Sequence, residues 1–214
     1  MKNFGSAPKR VADLSSAPPA EFPLRQAEIM WGCEQGGSPH FPRHIDEIIA
    51  RRNARAPQPI YVFRDAMMHA EHRIWVMDKY FLVPEKESKP DDRIQTILDW
   101  LHSGLVASDI RILTTEHKEV GTEFLQLFES QESCINDQPG RRGNSCRIQI
   151  NTCLSDSPID VHDRFAIIDD ELWHFGATVG GFHASVNAAS RGWNAYTTGA
   201  VDFFELVWKK CKGK

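Results

Sequence analysis

One short segment of the sequence carries the residue types that phosphate chemistry needs. In residues 160–178, which read DVHDRFAIIDDELWHFGAT, His162 and Arg164 are two positions apart. On a β-strand, side chains at this spacing leave the same face, so both are expected to face one ligand. A histidine titrates near neutral pH and can attack as the neutral base, and a guanidinium can hold two phosphate oxygens in a fork. These residue types are compatible with binding an anion, but a His-x-Arg pair on one strand is common and does not by itself assign a function.

The same segment resembles the active-site motif of the phospholipase D superfamily, H-x-K-x4-D-x6-G-S. His162, Asp169 and Gly176 fall on this template, with Arg164 in the lysine position. The likeness covers residues 60–210, strongly at the motif and weakly elsewhere. It implies that His162 is a nucleophile that forms a phosphohistidine intermediate, that Arg164 grips phosphate oxygens, and that Asp169 orients and stabilises a histidine. These three are the predicted catalytic residues.

The sequence also departs from that motif. An arginine is not geometrically equivalent to a lysine, so Arg164 changes how phosphate is held. Ala177 stands where the family has serine, and Val179 stands where it has a later asparagine. A threonine one position after Ala177 offers a hydroxyl instead, and two glycines before a histidine permit a tight bend near a ligand. The predicted substrate-binding residues are Gly176, Thr178 and His183.

The chain carries the motif once, whereas the active site of the family uses two histidines. Single-copy members complete the site by pairing two chains around a two-fold axis. The resemblance therefore implies a homodimer in which His162 of each subunit faces the same phosphate. Two-fold dimers are also the commonest soluble oligomers.

We expect neither a metal nor a cofactor. Cys33, His40 and His44 do not have the spacing of a zinc site, and Pro39 and Pro42 predict a loop there. The chain has 5 cysteines, scattered and without a CxxC pair. This pattern predicts reduced thiols, as in a cytosolic protein.

Composition describes an ordinary globular chain. Of its 214 residues, 41% are hydrophobic and 25% are charged. No run approaches the roughly 18–20 apolar residues that a membrane span needs, and residues 1–20 lack the apolar stretch of a signal peptide. We therefore expect a cytoplasmic protein without a transmembrane segment. The net charge of −4 argues against a protein that coats nucleic acid nonspecifically, but it permits a local basic cleft.

The elements that must position the motif alternate between helix and strand after residue 60. Helices are predicted over residues 44–55, 60–71, 91–102, 118–132 and 202–210, and strands over 73–83, 109–115, 147–154, 161–168 and 172–175. This alternation predicts an α/β fold, a phospholipase D-like mixed β-sheet flanked by helices, with one repeat per chain. Residues 1–59 are predicted to form an N-terminal arm with one short helix, and residues 60–214 the phospholipase D-like domain.

The arm helix has a distinctive pattern. Ile45, Ile48 and Ile49 lie on one face, and Arg51 and Arg52 come near its end. Cations at that position suit the negative pole of the helix dipole.

The leading functional hypothesis is a hydrolase, a metal-independent phosphodiesterase that acts as a nuclease on DNA or RNA. Nucleic acid is favoured over lipid because a small single-motif chain without an apolar membrane-docking segment resembles the nuclease branch of the family. One alternative is a phospholipase. The other is a catalytically degenerate domain that binds phosphate groups or an unidentified protein partner.

Overall fold

A mixed β-sheet with helices on both faces forms the core of the computed structural model, which describes residues 26–33, 35–54, 57–84, 89–118, 120–141, 143–154 and 161–212. The strands are β1 (Glu28–Trp31), β2 (Arg73–Met77), β3 (Asp109–Leu113), β4 (Arg147–Asn151), β5 (Phe165–Ile168), β6 (Glu171–Phe175) and β7 (Ala188–Asn194). The helices are α1 (Ile45–Asn53), α2 (Tyr61–Met68), α3 (Pro90–Trp100), α4 (Thr122–Asn136) and α5 (Ala200–Lys212). In this part of the chain, no helix is long and apolar enough to cross a membrane. The predicted fold class is confirmed.

The sheet has a parallel half and an antiparallel half. Its strand order is β1-β7-β6-β5-β2-β3-β4. Strands β2, β3 and β4 run parallel, whereas β5 pairs antiparallel with β2 and is followed by antiparallel β6, β7 and β1. The two halves meet between β2 and β5. At that junction the carboxyl end of β2 lies beside the amino end of β5.

Alternating side chains of the central strands supply two hydrophobic layers. On β2, Ile74 and Val76 pack into the layer that contains α2, α3 and α4. Trp75 and Met77 pack into the opposite layer, under α5. Because both faces of the central strands are covered, these strands read as nearly continuous apolar runs in the sequence.

Strand β2 is shorter than the predicted strand over residues 73–83. It ends at Met77 because Asp78 begins a turn: its carboxylate accepts the Tyr80 N–H at 2.8 Å, and its carbonyl accepts the Phe81 N–H at 3.3 Å. Aspartate favours such turns because its side chain bonds to the backbone two residues on. The apolar residues after the turn, Phe81 and Leu82, are buried without being part of a strand.

One strand from the region before residue 60 belongs to the same sheet as the later strands. Strand β1, which the sequence pattern did not predict, pairs antiparallel with β7, from Glu28 opposite Arg191 to Trp31 opposite Ala188. Strand β7 was also missed, since its sequence AASRGWN lacks the alternation of apolar and polar residues that marks a half-buried strand. Residues 1–25 of the predicted arm lie outside the described residues.

Helix α1 buries an arginine instead of its isoleucines. Ile45 and Ile49 are 66% and 47% exposed, whereas Arg51 is 2% exposed. The guanidinium of Arg51 donates to the backbone carbonyls of Cys33, Gln58, Gly181 and His183. A buried arginine needs such partners to offset its desolvation. The interpretation of Arg51 as a cation at the helix end therefore missed its main role.

Two of the cysteines form a disulfide, which corrects the prediction of reduced thiols. Cys153 follows β4 and Cys211 lies near the end of α5, and their Cα atoms are 5.8 Å apart. The partners are 58 residues apart, so no local spacing in the sequence indicated the bond. Disulfides are typical of oxidising compartments and rare in the cytosol. The bond fixes α5 to the carboxyl end of β4.

Candidate active site

Arg164 lies at the junction between the two halves of the sheet. It immediately precedes β5, and its carbonyl accepts the Phe175 N–H of β6 at 2.9 Å. Met77 of β2 is paired with Phe165, so the next pair along these antiparallel strands is Asp78 opposite Arg164. Side chains directly opposite one another on antiparallel strands are close enough to interact. The fold therefore brings a cation and a carboxylate together at this edge.

Asp78 is the buried half of this pair, with 0% of its surface exposed. Its carboxylate accepts backbone N–H groups from Tyr80 at 2.8 Å and from Val179 at 2.7 Å, and Arg164 Nε lies 3.7 Å from Oδ1. Burial raises the pKa of Asp78 to about 6, against the opposing effects of the two N–H donors and of Arg164 and Arg93. The carboxyl group therefore titrates near neutral pH.

The Arg164 side chain contacts Asp78 and Tyr80 and is partly exposed to solvent. Its guanidinium carbon lies 5.1 Å from the centroid of the Tyr80 ring, a cation–π arrangement, while Asp78 lies beneath it. The side chain is nevertheless 26% exposed. A guanidinium fixed in this way loses little conformational entropy when it binds an anion. The arrangement is therefore suited to binding phosphate oxygens.

His162 precedes the strand instead of lying on it. The predicted strand over residues 161–168 is confirmed only from Phe165 onward, so His162 and Arg164 belong to the segment leading into β5. His162 is exposed. Between them, Asp163 contacts His174 Nε2 of β6 at 2.6 Å, which attaches this segment to the sheet. His162 thus stands two residues from Arg164 on an anchored segment that is open to solvent.

Asp169 lies at the other end of β5 from Arg164. Five residues of extended chain span about 17 Å. The Asp169 carboxylate accepts the backbone N–H groups of Glu71, His72 and Arg73, at 2.7–3.2 Å. The structure does not bring this carboxylate together with His162. These hydrogen bonds fix the backbone at the start of β2, which gives Asp169 a structural role.

The three predicted substrate-binding residues lie in the connection between β6 and β7. Gly176 is exposed, and its N–H donates to the Ala188 carbonyl at 2.9 Å. Thr178 is 5% exposed and precedes Val179, whose amide reaches Asp78, so this threonine lies next to the site. His183 Nδ1 accepts the Ser185 N–H at 3.1 Å, within its own loop. Of the three, Thr178 is the one next in sequence to a residue that bonds to Asp78.

Sequence reasoning missed Asp78 and Tyr80. Both lie inside the apolar run RIWVMDKYFLV, which was interpreted as one buried strand. The signal was present, because an aspartate within such a run requires a partner when it is buried. The partner, Arg164, is 86 residues away, and only the fold brings the two together.

No group of three or more His, Cys, Asp or Glu side chains is arranged to hold a metal ion in the part of the chain that the structure describes. Asp78 is surrounded by backbone N–H donors and arginine, which are partners of an anion.

Comparison with known proteins shows a likeness in fold. No protein-family model matches the sequence, and the curated proteins contain no significant match. The structure is similar to Nuc from Salmonella typhimurium, a phospholipase D family member, with a TM-score of 0.45 and 15% identity over 86% of this chain and 95% of Nuc. It is also similar to phosphatidylserine synthase from Haemophilus influenzae, with a TM-score of 0.42 and 13% identity over 68% of this chain.

A third similar structure is TrmBL2, described as an archaeal chromatin protein with a novel mode of DNA binding. Its TM-score is 0.42 and its identity 10%, over 90% of this chain. This chain spans 55% of TrmBL2 and 34% of the synthase. Identities of 10–15% concern the fold alone, and the function must be inferred from the residues of the site.

Proposed function

We propose that this chain is a phosphodiesterase of the phospholipase D type, and more specifically a metal-independent nuclease whose nucleophile is His162. The observation that carries the proposal is the Arg164 guanidinium, fixed between Asp78 and Tyr80 and open to solvent two residues from His162. A positioned cation beside a nucleophile is what a transferring phosphoryl group requires.

The proposed reaction has two steps. A lone pair of the neutral His162 imidazole attacks phosphorus, and the bond from phosphorus to the leaving oxygen breaks while that oxygen takes a proton from a second histidine. Water, deprotonated by the second histidine, then attacks the phosphohistidine, which releases a phosphomonoester and regenerates His162. The second histidine in this proposal is His162 of the partner subunit. Arg164 binds the non-bridging oxygens throughout.

A binding module without turnover is the second candidate. Ala177 and Val179 lack the side chains that the motif has at these positions, and Asp78 already offsets part of the charge of Arg164. The loss of those two side chains weakens catalysis more than anion binding, because the Arg164 guanidinium remains, whereas the charge of Asp78 lowers the affinity for an anion. Cleavage assays with labelled single- and double-stranded DNA and RNA separate the two candidates, because a binding module retains all four substrates intact.

Cleavage by this protein is expected to survive metal chelation. The proposed chemistry uses histidine for both nucleophilic attack and proton transfer, so no divalent ion takes part in either step. Pure protein should cleave labelled oligonucleotides at the same rate with and without EDTA. Activity that disappears in EDTA and returns with magnesium or manganese would contradict the mechanism.

The protein is expected to be a dimer with the two His162 side chains facing each other across the axis. Sedimentation velocity gives the mass in solution. A His162→Cys variant in a Cys134→Ser background should cross-link to itself under mild oxidation, because the two sulfurs would meet at the axis. Cys134 is an exposed native thiol on α4, so wild-type protein serves as the control for random cross-linking. A monomer, or a dimer in which position 162 does not cross-link, would exclude the shared site.

A further inference from the structure

We propose that Asp78 is the positioning residue that sets the charge selectivity of the Arg164 site, so that the site prefers singly charged phosphodiesters to doubly charged phosphomonoesters. This inference rests on the proposed function, since it names the class of ligand that the same site takes. Asp78 acts on the ligand through Arg164 and does not itself contact the ligand.

The position of Asp78 is fixed independently of any ligand. It follows β2 directly opposite Arg164, and its two carboxylate oxygens are occupied by the amides of Tyr80 and Val179. The two amides come from different parts of the chain, one from the turn after β2 and one from the connection after β6. The carboxylate therefore stays beneath Arg164 whether or not an anion is bound.

Two arginines face the Asp78 carboxylate. The charged groups facing it are Arg164, from the segment before β5, and Arg93, from α3. Arg93 is 5% exposed, and its guanidinium lies 3.8 Å from the centroid of the Phe182 ring. The guanidinium of Arg93 is thus withdrawn from the surface, and Arg164 is the one of the two that solvent reaches. With Asp78 ionised, the three groups together carry a single net positive charge, which one phosphodiester anion neutralises.

A second negative charge on the ligand is repelled by Asp78. The repulsion between unit charges about 6 Å apart, at an effective dielectric between that of water and that of a protein surface, corresponds to about tenfold in affinity. A dianion experiences this repulsion twice and a monoanion once. Removing the charge of Asp78 should therefore improve dianion binding about tenfold more than monoanion binding.

Acidification should have the same effect as removing the carboxylate charge. Bound anion disfavours the ionised form of Asp78, so the ligand raises the pKa of this carboxyl group above its ligand-free value of about 6. Binding then takes up a proton, and affinity for a phosphodiester rises as the pH falls through this range. The experiment places glutamine at position 162, so that a histidine side chain makes no contribution to the pH dependence.

The experiment compares His162→Gln with His162→Gln/Asp78→Asn. The probes are dimethyl phosphate, which is a monoanion between pH 5 and 8, and methyl phosphate, which is a dianion at pH 8. NMR titration measures both affinities. Asp78→Asn is expected to bind dimethyl phosphate about tenfold and methyl phosphate about a hundredfold more tightly at pH 8. The pH dependence of dimethyl phosphate binding, present in the single variant, should be absent from the double variant.

Equal changes for both probes, or a folded Asp78→Asn variant that binds both less tightly, would overturn the selectivity proposal. Thermal unfolding shows whether the double variant is folded. If the double variant is unfolded, two measurements on His162→Gln test the proposal instead: the pH dependence of dimethyl phosphate binding and the ¹³C titration of the Asp78 carboxyl group. A flat profile between pH 5 and 8 overturns the proposal. A protein that binds neither probe at any pH refutes the proposed function itself. In that case the ligand-free titration still reports whether Asp78 is paired with Arg164.

Discussion

Replacing His162 with alanine is expected to lower the cleavage rate by a factor on the order of 10⁴ or more, because the loss of a nucleophile removes the first chemical step. Affinity for the uncleaved phosphodiester should change little, since Arg164 supplies most of the contact with phosphate oxygens. His162 is exposed and precedes β5, so the substitution removes no core contact. Single-turnover kinetics and substrate titration measure the two quantities separately.

His69→Ala is a matched control for this variant. His69 is also exposed, and it lies at the end of α2, where its ring contacts the Asp65 carbonyl of the same helix. Its replacement should leave both rate and affinity unchanged. Quenching wild-type protein and labelled substrate with alkaline detergent should trap a phosphoprotein that is stable to base and labile to acid, and that His162→Ala does not form. Turnover by His162→Ala at the wild-type rate would refute the assignment of the nucleophile.

Replacing Arg164 with alanine is expected to weaken phosphodiester binding about 10- to 100-fold, the effect of losing charge-assisted hydrogen bonds. It also removes a cation that lies 3.7 Å from Asp78 and the contact with Tyr80. Arg164→Lys restores the residue that the motif has at this position. In an active enzyme this variant should retain or raise the cleavage rate, because its ammonium group still faces phosphate.

Arg64→Ala is the control that distinguishes the loss of the Arg164 contact from the loss of one positive charge. Arg64 is an exposed arginine of α2 that pairs with Asp65 at 2.9 Å, so its replacement changes net charge by the same amount as Arg164→Ala. Equal effects of the two variants would mean that only overall charge matters. If wild-type protein cleaves no phosphodiester while Arg164→Ala abolishes phosphate binding, the chain is a binding module.

The fold class was predictable because the central strands and the helices between them have strong, simple patterns. Continuous apolar runs identified β2 and β3, and helical periodicity identified α3. The same reasoning placed His162 and Arg164 on the strand itself, whereas both lie in the segment before β5. Strands β1 and β7 were missed because neither has a periodic pattern of its own, and both are defined by pairing with strands distant in sequence or with each other.

The partners in the site were not predictable because they are set by contacts between distant parts of the chain. The pairing of Asp78 with Arg164 depends on the antiparallel register of β2 and β5. The Cys153–Cys211 bond depends on where α5 crosses the sheet. Asp169 illustrates the opposite case, since the motif resemblance grouped it with His162, whereas its carboxylate binds the backbone before β2. A motif specifies the spacing of its residues along the chain. Whether those residues lie close together in the structure depends on the direction of the strand that carries them.

The buried guanidinium of Arg51 links the opening of helix α1 to the stability of the candidate site. It holds the carbonyls of Gly181 and His183 from one side, and the Val179 amide in the same turn is held by Asp78 from the other. If α1 unfolds locally, the turn loses its anchor and the Val179 amide becomes free to exchange with solvent. Helix α1 and the turn that contains Gly181 and His183 are therefore expected to open together. Removing α1 would take away the Arg51 guanidinium that supports this turn.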